Sequence, residues 1–564
     1  LLRSQIAALP GCGAARLLRC AAALQGRASV DCARVSPAAA RVLVCDELSP
    51  EATEILERAG LAVETRLGLR EPELTLAARG VHALLVRSAT RITRGVIAAA
   101  PQLRVVGRAG VGVDNIDCEA ATEHGVLVLN APEGNTTTTA ELALALLFAL
   151  ARRIPRADAL VRSGGWSKSG LVGLELTGKT LGVVGLGRIG RALAQRARGL
   201  QMEVLASDPF LPPGSRAPEG VSLVELEELL ARAHFVSLHT PLTPATHHLI
   251  DAARLASMRP GALLVNAARG GLVDEAALLA ALESGHLGGA ALDVYEQEPP
   301  PQAHPLYARA DVVLTPHLGA SSREAQRSVA IEVAQQVAEF LSDGLAPHAL
   351  NAPTADRETL RAAAPRARLA ESLGALLAQL CRAPLERLEL RARAPSAQLR
   401  LIGAGALIGA LRAIAGRPIN FVNAERIARE RGLALELAGE PLEAQAELEL
   451  VAHPRAGASA HSAAGAFLGG APRIVRIDAT PLVLEPGGLL LATRHADQPG
   501  VVGRIGTLLG AAGLNIRRIE LGPVGPAAAR EAAGYWSLEA PVPTEVVERI
   551  AALDSIHAAG LLQL

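Results

Sequence analysis

Lysine is almost missing from this chain. Lys168 and Lys179 are the only two in 564 residues, so 54 of its 56 cationic side chains are arginines. Aromatic residues are also scarce, with six Phe, three Tyr and two Trp. With the abundance of alanine, this reads as a bias of the whole chain, so an arginine-rich stretch means little unless a motif surrounds it. Net charge is lacking too, since 56 basic side chains face 56 acidic ones. That argues against general nucleic-acid binding, which needs surplus cations to displace counterions from phosphates. The six cysteines, at 12, 20, 32, 45, 118 and 381, form no C-x-x-C pair. Neither a metal site nor a disulfide framework is expected, and a reducing compartment is. No long hydrophobic run exists: the longest, Leu142 to Ala151, has 10 residues, where a membrane-spanning helix needs about 20. What is present is a globular composition, half of it hydrophobic, at a length that suggests about three to four domains.

Acids are the last thing missing, and only locally. Residues 1 to 41 hold six arginines and one acid, Asp31. Acid-poor, Arg- and Ser-containing leaders are typical of organelle transit peptides. The chain also begins at Leu1 without Met, which on this reading makes it part of a precursor. A disordered Ala-rich extension is the competing reading. Both expect residues 1 to 40 to have no defined fold.

From Arg41 onward, short apolar runs alternate with helical patterns. Strands are expected at Arg41–Cys45, Ala83–Val86, Arg104–Val106 and Val126–Leu129, followed by an apolar helix over 140–151. A second series has strands at Leu181–Val184, Glu203–Ala206, Phe235–Leu238, Ala262–Val265 and Val312–Leu314. A helix from Ser322 to about Leu341 is expected to return to the first unit. Alternation of this kind makes parallel α/β sheets. The fold class is therefore α/β, with two Rossmann-like or flavodoxin-like domains: 41–139 with 323–350 for substrate, and 140–322 for a dinucleotide. Pro347–Pro353 reads as a linker. Residues 354–487 mix helices with alternating strands, and 489–564 form a last small unit.

Gly185-Leu-Gly187-Arg-Ile-Gly190 follows a strand and opens a helix, and Asp208 stands 23 residues beyond Gly185 at the end of the next strand. In that context the glycines have distinct tasks. Gly185 permits the tight turn, Gly187 admits a pyrophosphate to the backbone, and Gly190 lets helix and strand pack closely. The helix N-terminus offers unpaired N–H groups to the phosphates. Asp208 would accept from the adenosine ribose and repel a 2′-phosphate, so NAD is favoured over NADP.

Three polar segments follow successive strands: Val265–Gly271 with Arg269, Asp293–Pro299 with Glu298, and Thr315–Gly319 with His317. Ligands of open α/β sheets sit at the carboxyl ends of strands, so these groups can converge. Oxidising an alcohol requires a proton acceptor, and histidine, with an unperturbed pKa of about 6.5, suits that role for His317. A carboxylate such as Glu298 fixes a histidine tautomer, and the Arg269 fork matches a carboxylate. The isolated His234, His247 and His286, and Tyr295, read as surface or packing residues.

The order Arg269, Glu298, His317 behind the glycine motif resembles the D-isomer-specific 2-hydroxyacid dehydrogenase family. So do Val86–Thr90, Arg108–Asn115, Gly178–Gly190, Ala268–Glu275 and Ala290–Val294. The similarity runs over residues 41 to 564, in the manner of the long forms that carry two extra domains. It implies that Arg188 and Ile189 face the pyrophosphate, that Thr240 and Ala267 line the cofactor cleft, and that Asp293 holds the nicotinamide carboxamide. Val111 falls at a further cofactor position, bulkier than usual. Arg87, Arg108 and Asn135 fall at substrate positions beside Arg269, with Lys168 a weaker candidate. The implied activity is NAD-dependent oxidation of 3-phospho-D-glycerate to 3-phosphohydroxypyruvate, the entry to L-serine synthesis, by a homo-oligomer (dimer or tetramer). Relatives with a similar leader are plastid proteins; a mitochondrion or the cytoplasm remains the alternative.

Residues 354–487 resemble the intervening domain of those long forms, with Glu425 where proline is usual. Residues 489–564 resemble an ACT domain, the βαββαβ module that binds amino acids. His495, Asp497 and Asn515 fall at its serine-contacting positions, although Asn515 could equally cap a turn and the module could serve only to dimerise. No membrane or nucleic-acid partner is expected. A hydroxypyruvate or glyoxylate reductase, and a non-catalytic NAD-sensing protein that kept the fold, are the competing readings.

Overall fold

A computed structural model describes residues 40–211, 217–381, 383–438, 442, 445–455, 459–524 and 530–564. The leader expected over 1 to 40 lies, but for Ala40, outside the described residues. Five parallel strands come first: β1 (Arg41–Val44), β2 (Ala62–Thr65), β3 (Ala83–Val86), β4 (Val105–Arg108) and β5 (Leu127–Asn130). They lie in the order β2-β1-β3-β4-β5. β3 and β5 are buried at every position, which is why they read as continuous apolar runs. β2, half polar and partly exposed at the edge, lacks that signature and was not among the strands expected.

Helix α1 (Thr136–Ala151) begins four residues before the apolar run that announced it. Its first turn is threonine, and those hydroxyls have partners far along the chain: Thr139 Oγ1 donates to the Gly319 carbonyl at 2.7 Å, and Thr138 Oγ1 lies 2.8 Å from Ser322 Oγ. Seven parallel strands follow. β6 (Thr180–Val184), β7 (Glu203–Ser207), β8 (Val221–Leu223), β9 (Phe235–Leu238), β10 (Leu263–Asn266), β11 (Gly289–Leu292) and β12 (Val312–Leu314) lie in the order β12-β11-β10-β9-β6-β7-β8. Helix α2 (Arg188–Gly199) crosses between β6 and β7, burying Leu193, Ala194 and Ala197. At roughly 1.5–3 kcal/mol for each fully buried large apolar side chain, residues such as Leu181, Val183, Leu193 and Phe235 hold the layers together.

Helix α3 (Arg323–Asp343) does return to the first sheet, placing Val329, Val333 and Val337 in its core. A Cβ on Gly107 of β4 would stand 2.7 Å from Val333 Cγ2 and 2.8 Å from Val337 Cγ2, so this contact needs glycine. The Pro347–Pro353 stretch is no loose linker. Asn351 Oδ1 accepts from Val128 N at 2.9 Å, its Nδ2 donates to Val126 O and Thr122 Oγ1, and Leu350 N reaches Val128 O. β5 is an edge strand whose backbone groups need partners, and this segment supplies them.

Beyond it, α4 (Arg357–Leu380), α5 (Ser396–Leu411) and α6 (Ala424–Arg431) cover one mixed sheet. Its strands β13 (Leu385–Ala392), β14 (Ala434–Ala438), β15 (Leu448–Pro454), β16 (His461–Leu468), β17 (Ala471–Ile477) and β18 (Thr480–Leu484) run in the order β14-β13-β15-β16-β17-β18. α4 and α5 approach closely because a Cβ at Gly374, Gly405 or Gly409 would strike the facing backbone. α6 ends at Gly432 in the left-handed region (φ 65°), and Glu425 in its first turn pairs with Arg400 at 3.3 Å. The last unit is β19 (Leu489–Ala496), α7 (Val501–Ala511), β20 (Ile516–Val524), β21 (Glu531–Leu538), α8 (Thr544–Ala551) and β22 (Ile556–Gln563). The βαββαβ sheet has order β20-β21-β19-β22 around a buried Trp536. Among the described residues no helix is long and apolar enough to cross a membrane.

Candidate active site

Strand order reverses between β6 and β9, and the glycine turn sits at that reversal. Gly185 has φ 93°, and a Cβ there would stand 2.7 Å from the His239 carbonyl oxygen. A Cβ on Gly190 would stand 2.1 Å from the Gly185 carbonyl oxygen. Gly187, at the N-cap of α2, has nothing within 4 Å of where a Cβ would be. Two glycines thus permit the turn and the third keeps its approach open. Asp208 is held in place beside it: Leu186 N donates to Oδ2 at 2.9 Å and Phe210 N to Oδ1 at 3.0 Å. Thr240 Oγ1 and His239 Nδ1 are buried without partners at the end of β9, next to this turn. Open space, free helix N–H groups and orphaned polar atoms together fit a dinucleotide. Replacing Gly190 by Ala should weaken NADH binding and lower thermal stability by about 1–3 kcal/mol, the usual overpacking cost. Fluorescence titration and melting check this, and unchanged binding would mean the helix and turn can separate freely.

Ile189, half-buried, packs against the edge of the core, and Arg188 reaches across to Glu133 at 3.5 Å. Ala267, buried, follows β10, and Val111, half-buried, accepts from Asn130 Nδ2 at 2.6 Å through its carbonyl.

His317, Glu298 and Arg269 come together at the carboxyl ends of β10, β11 and β12. His317 Nδ1 lies 2.7 Å from Glu298 Oε2, which leaves Nε2 as the ring nitrogen turned away from the pair. Burial alone would raise the Glu298 pKa, but the bond from His317, the Tyr295 N–H and the nearby Arg269 charge hold it below the usual carboxylate range. His317 is itself in the left-handed region (φ 54°), an arrangement that needs outside support. Asp293 provides it. Its carbonyl accepts from His317 N at 2.8 Å, while its fully buried carboxylate accepts from Thr315 Oγ1 (2.6 Å), Leu318 N (2.7 Å) and Gly319 N (2.9 Å). Burial raises the Asp293 pKa against those bonds.

Arg269 projects toward the first sheet. Its Nε lies 3.3 Å from Asp114 Oδ2 and its Nη1 donates to the Ala268 carbonyl at 2.6 Å. A Cβ on Gly112 would meet its guanidinium as it is now placed, so glycine in the Arg108–Asn115 loop leaves room for this position of the side chain. Arg87 and Arg108 complete a cluster of three guanidinium groups. Burial pushes the Arg108 pKa down to about 10, helped by the charges of Arg269 and Arg87. Its Nε is buried without a partner, as is Asn135 Oδ1 at the cap of α1. An unsatisfied guanidinium donor among crowded cations is what an anionic ligand would relieve, whereas the Asn135 oxygen is an acceptor and suits a hydroxyl. Lys168 sits on an exposed loop, and among the described residues no contact joins it to this cluster. Among the described residues, too, no group of three His, Cys, Asp or Glu could hold a metal.

Family models match three segments: the NAD binding domain of D-isomer specific 2-hydroxyacid dehydrogenases at residues 144–319, the D-3-phosphoglycerate dehydrogenase intervening domain at 363–478, and an ACT domain at 490–554. A D-3-phosphoglycerate dehydrogenase from Methanocaldococcus jannaschii is 39% identical over 534 residues, 93% of this chain and all of the relative. The chain belongs to the D-3-phosphoglycerate dehydrogenases of the D-isomer-specific 2-hydroxyacid dehydrogenase family. A Synechocystis relative of the same name is 39% identical and covered to 95%. A chloroplastic one from Arabidopsis thaliana is 38% identical over 86% of this chain and 80% of its own length. Among solved structures, a glyoxylate reductase from Paecilomyes thermophila aligns over 55% of this chain and 98% of its own, with a TM-score of 0.51 and 30% identity.

In the ACT unit, His495 is the penultimate residue of β19 and almost fully buried, with Nδ1 3.0 Å from the Ala496 carbonyl and Nε2 without a partner. Asp497 and Asn515 are exposed in the flanking turns. Several residues around the active site had no role assigned from sequence: Asp46, Asp114 and Asn115. The last two stand inside the Arg108–Asn115 phrase; Asp46 carried no local signal, because its importance comes from strand β3 packing beside β1.

Proposed function

We infer that the chain oxidises 3-phospho-D-glycerate at C2 to 3-phosphohydroxypyruvate. When bound, NAD supplies the hydride acceptor. His317 Nε2 takes the C2 hydroxyl proton, and Glu298, bonded to Nδ1, fixes the tautomer that leaves Nε2 free for it. Arg269 grips the carboxylate and polarises the C2 oxygen. Arg87, Arg108 and Asn135 receive the remaining anionic and polar groups of the substrate. The observation that carries this reading is the 2.7 Å contact of His317 with Glu298 beside Arg269, at the carboxyl ends of strands in the sheet that also carries the glycine turn. Gly185, Gly187, Arg188, Ile189, Gly190, Thr240, Ala267, Val111 and Asp293 are proposed to line the cofactor, with Asp208 on its ribose, and the division at 139/140 and 322/323 to separate its domain from the substrate's.

The ACT unit is proposed to bind L-serine through His495, Asp497 and Asn515, in a dimer or tetramer. The acid-poor leader and the chloroplastic relative support a plastid destination. The test is NADH formation with 3-phosphoglycerate, glycerate and glycolate, each with and without L-serine. Strong preference for the phosphorylated acid and a serine-dependent rate are expected. Faster turnover of the unphosphorylated acids would favour the reductase reading, and a rate indifferent to saturating serine would remove the effector proposal.

A further inference from the structure

The first sheet has its own reversal of strand order, between β1 and β3, and such a reversal opens a crevice at the carboxyl ends of the strands. Arg87 directly follows β3 at that crevice, on a turn that runs Arg87-Ser-Ala-Thr90. Two side chains hold the ends of this turn, one from each side. Asp46, just beyond β1 and buried, accepts from Arg87 N, from Thr90 N at 3.2 Å and from Thr90 Oγ1 at 2.6 Å. Asn115, from the loop that carries Arg108 and Asp114, donates through Nδ2 to Arg87 O at 2.7 Å and to Thr90 O at 2.6 Å. One carboxylate therefore takes the N–H groups at both ends of the turn, and one amide serves the carbonyls at both ends.

We propose that Asp46 and Asn115 are positioning residues: a two-sided clasp that fixes the Arg87–Thr90 turn and so sets where the Arg87 guanidinium meets the substrate anion. This rests on the reading of Arg87 as a substrate group. The chemistry suits a clasp better than general packing. A buried carboxylate accepting several N–H bonds is geometrically stiff, and its loss leaves buried donors unsatisfied. The same Asn115 amide also locks the Arg87 turn to the Arg108 loop, so two of the three arginines are set relative to each other. The third, Arg269, meets that loop at Asp114. The cluster's geometry thus passes through residues that need not touch substrate.

Asp46→Asn keeps the shape of the side chain but replaces one acceptor by a donor facing N–H groups. The expected result is a KM for 3-phosphoglycerate raised about 10- to 100-fold, the binding lost with one charge-assisted hydrogen bond to the substrate anion, with kcat changed less than threefold and the KM for NAD unchanged. In an Arg87→Ala background, Asp46→Asn should add less than a threefold further rise, because it acts through Arg87. An equal rise in both backgrounds, or a parallel rise in the KM for NAD, would overturn the proposal. Asn115→Ala and the milder Thr90→Val give the same comparison if Asp46→Asn does not fold. Hydrogen–deuterium exchange over residues 84–92 reads the clasp without any substrate: all three variants should speed exchange there, and unchanged exchange sinks the clasp. Absence of wild-type turnover with 3-phosphoglycerate would instead remove the functional reading, with the exchange result still deciding the clasp.

Discussion

Replacing His317 by Ala is expected to lower kcat by about 10²- to 10⁴-fold, the range for loss of a positioned general base, while NADH binding and the melting temperature stay close to wild type. The side chain is 46% exposed, so its removal opens no cavity, and the turn that presents it is held by the backbone and carboxylate of Asp293 rather than by the imidazole. Glu298→Gln should cost less, because the base survives and only its tautomer and orientation are released. The sign of the pH effect follows from the carboxylate. Glu298 is held below its ordinary value in the folded chain, so its contact with His317 contributes above the usual carboxylate range and is lost as pH falls through the lowered folded value. A wild-type melting temperature that falls as pH drops through the carboxylate range, with part of that fall missing in Glu298→Gln, would agree with this. Near wild-type turnover by a folded His317→Ala chain would remove the proposed mechanism.

Much of this site was legible beforehand because its residues sit in fixed places on a repeating plan. Each α/β crossover delivers the carboxyl end of a strand to the same edge, so Arg269, Glu298 and His317 could be expected to converge from their spacing alone. The glycine turn was legible for the same reason: only glycine tolerates φ 93° at 185 and the 2.1 Å approach at 190. Three strands of the two parallel sheets escaped. β2 and β8 are edge strands with polar or exposed residues, for which burial leaves no periodic trace, and β11 is a buried Gly-Ala-Ala-Leu run whose small residues carry little strand signal. Asp46 escaped because its partners lie 41 and 44 residues away, a pairing set by strand order rather than by local sequence. The Pro347–Pro353 stretch reads as a linker by composition, yet it satisfies an exposed strand edge, which composition does not report. Arginine content was the least informative signal. With 54 arginines in the chain, only motif context separated Arg87, Arg108 and Arg269 from the solvated remainder.

Arg269 is expected to carry the other large effect. Arg269→Ala should lower kcat/KM for 3-phosphoglycerate by about 10³-fold, in line with losing two charge-assisted hydrogen bonds at about 1.5–3 kcal/mol each. Arg269→Lys should recover only part of that, because an ammonium cannot present a planar fork to a carboxylate. The wild-type guanidinium is already oriented: Nη1 is tied to the Ala268 carbonyl, Nε faces Asp114, and Gly112 makes room for it. Little ordering remains for the substrate to impose, so removing the group should affect binding and the rate constant together rather than KM alone. Arg108 gives an internal check. Its pKa is lowered by burial first and by the neighbouring Arg269 charge second, so Arg269→Ala should let Arg108 hold its proton more firmly and retain the substrate's other anion. Inorganic phosphate, tested as a competitive inhibitor, should then bind the variant nearly as well as wild type while 3-phosphoglycerate does not. A fall in kcat/KM of less than tenfold, or equal losses for phosphate and 3-phosphoglycerate, would show that Arg269 is not the carboxylate's partner.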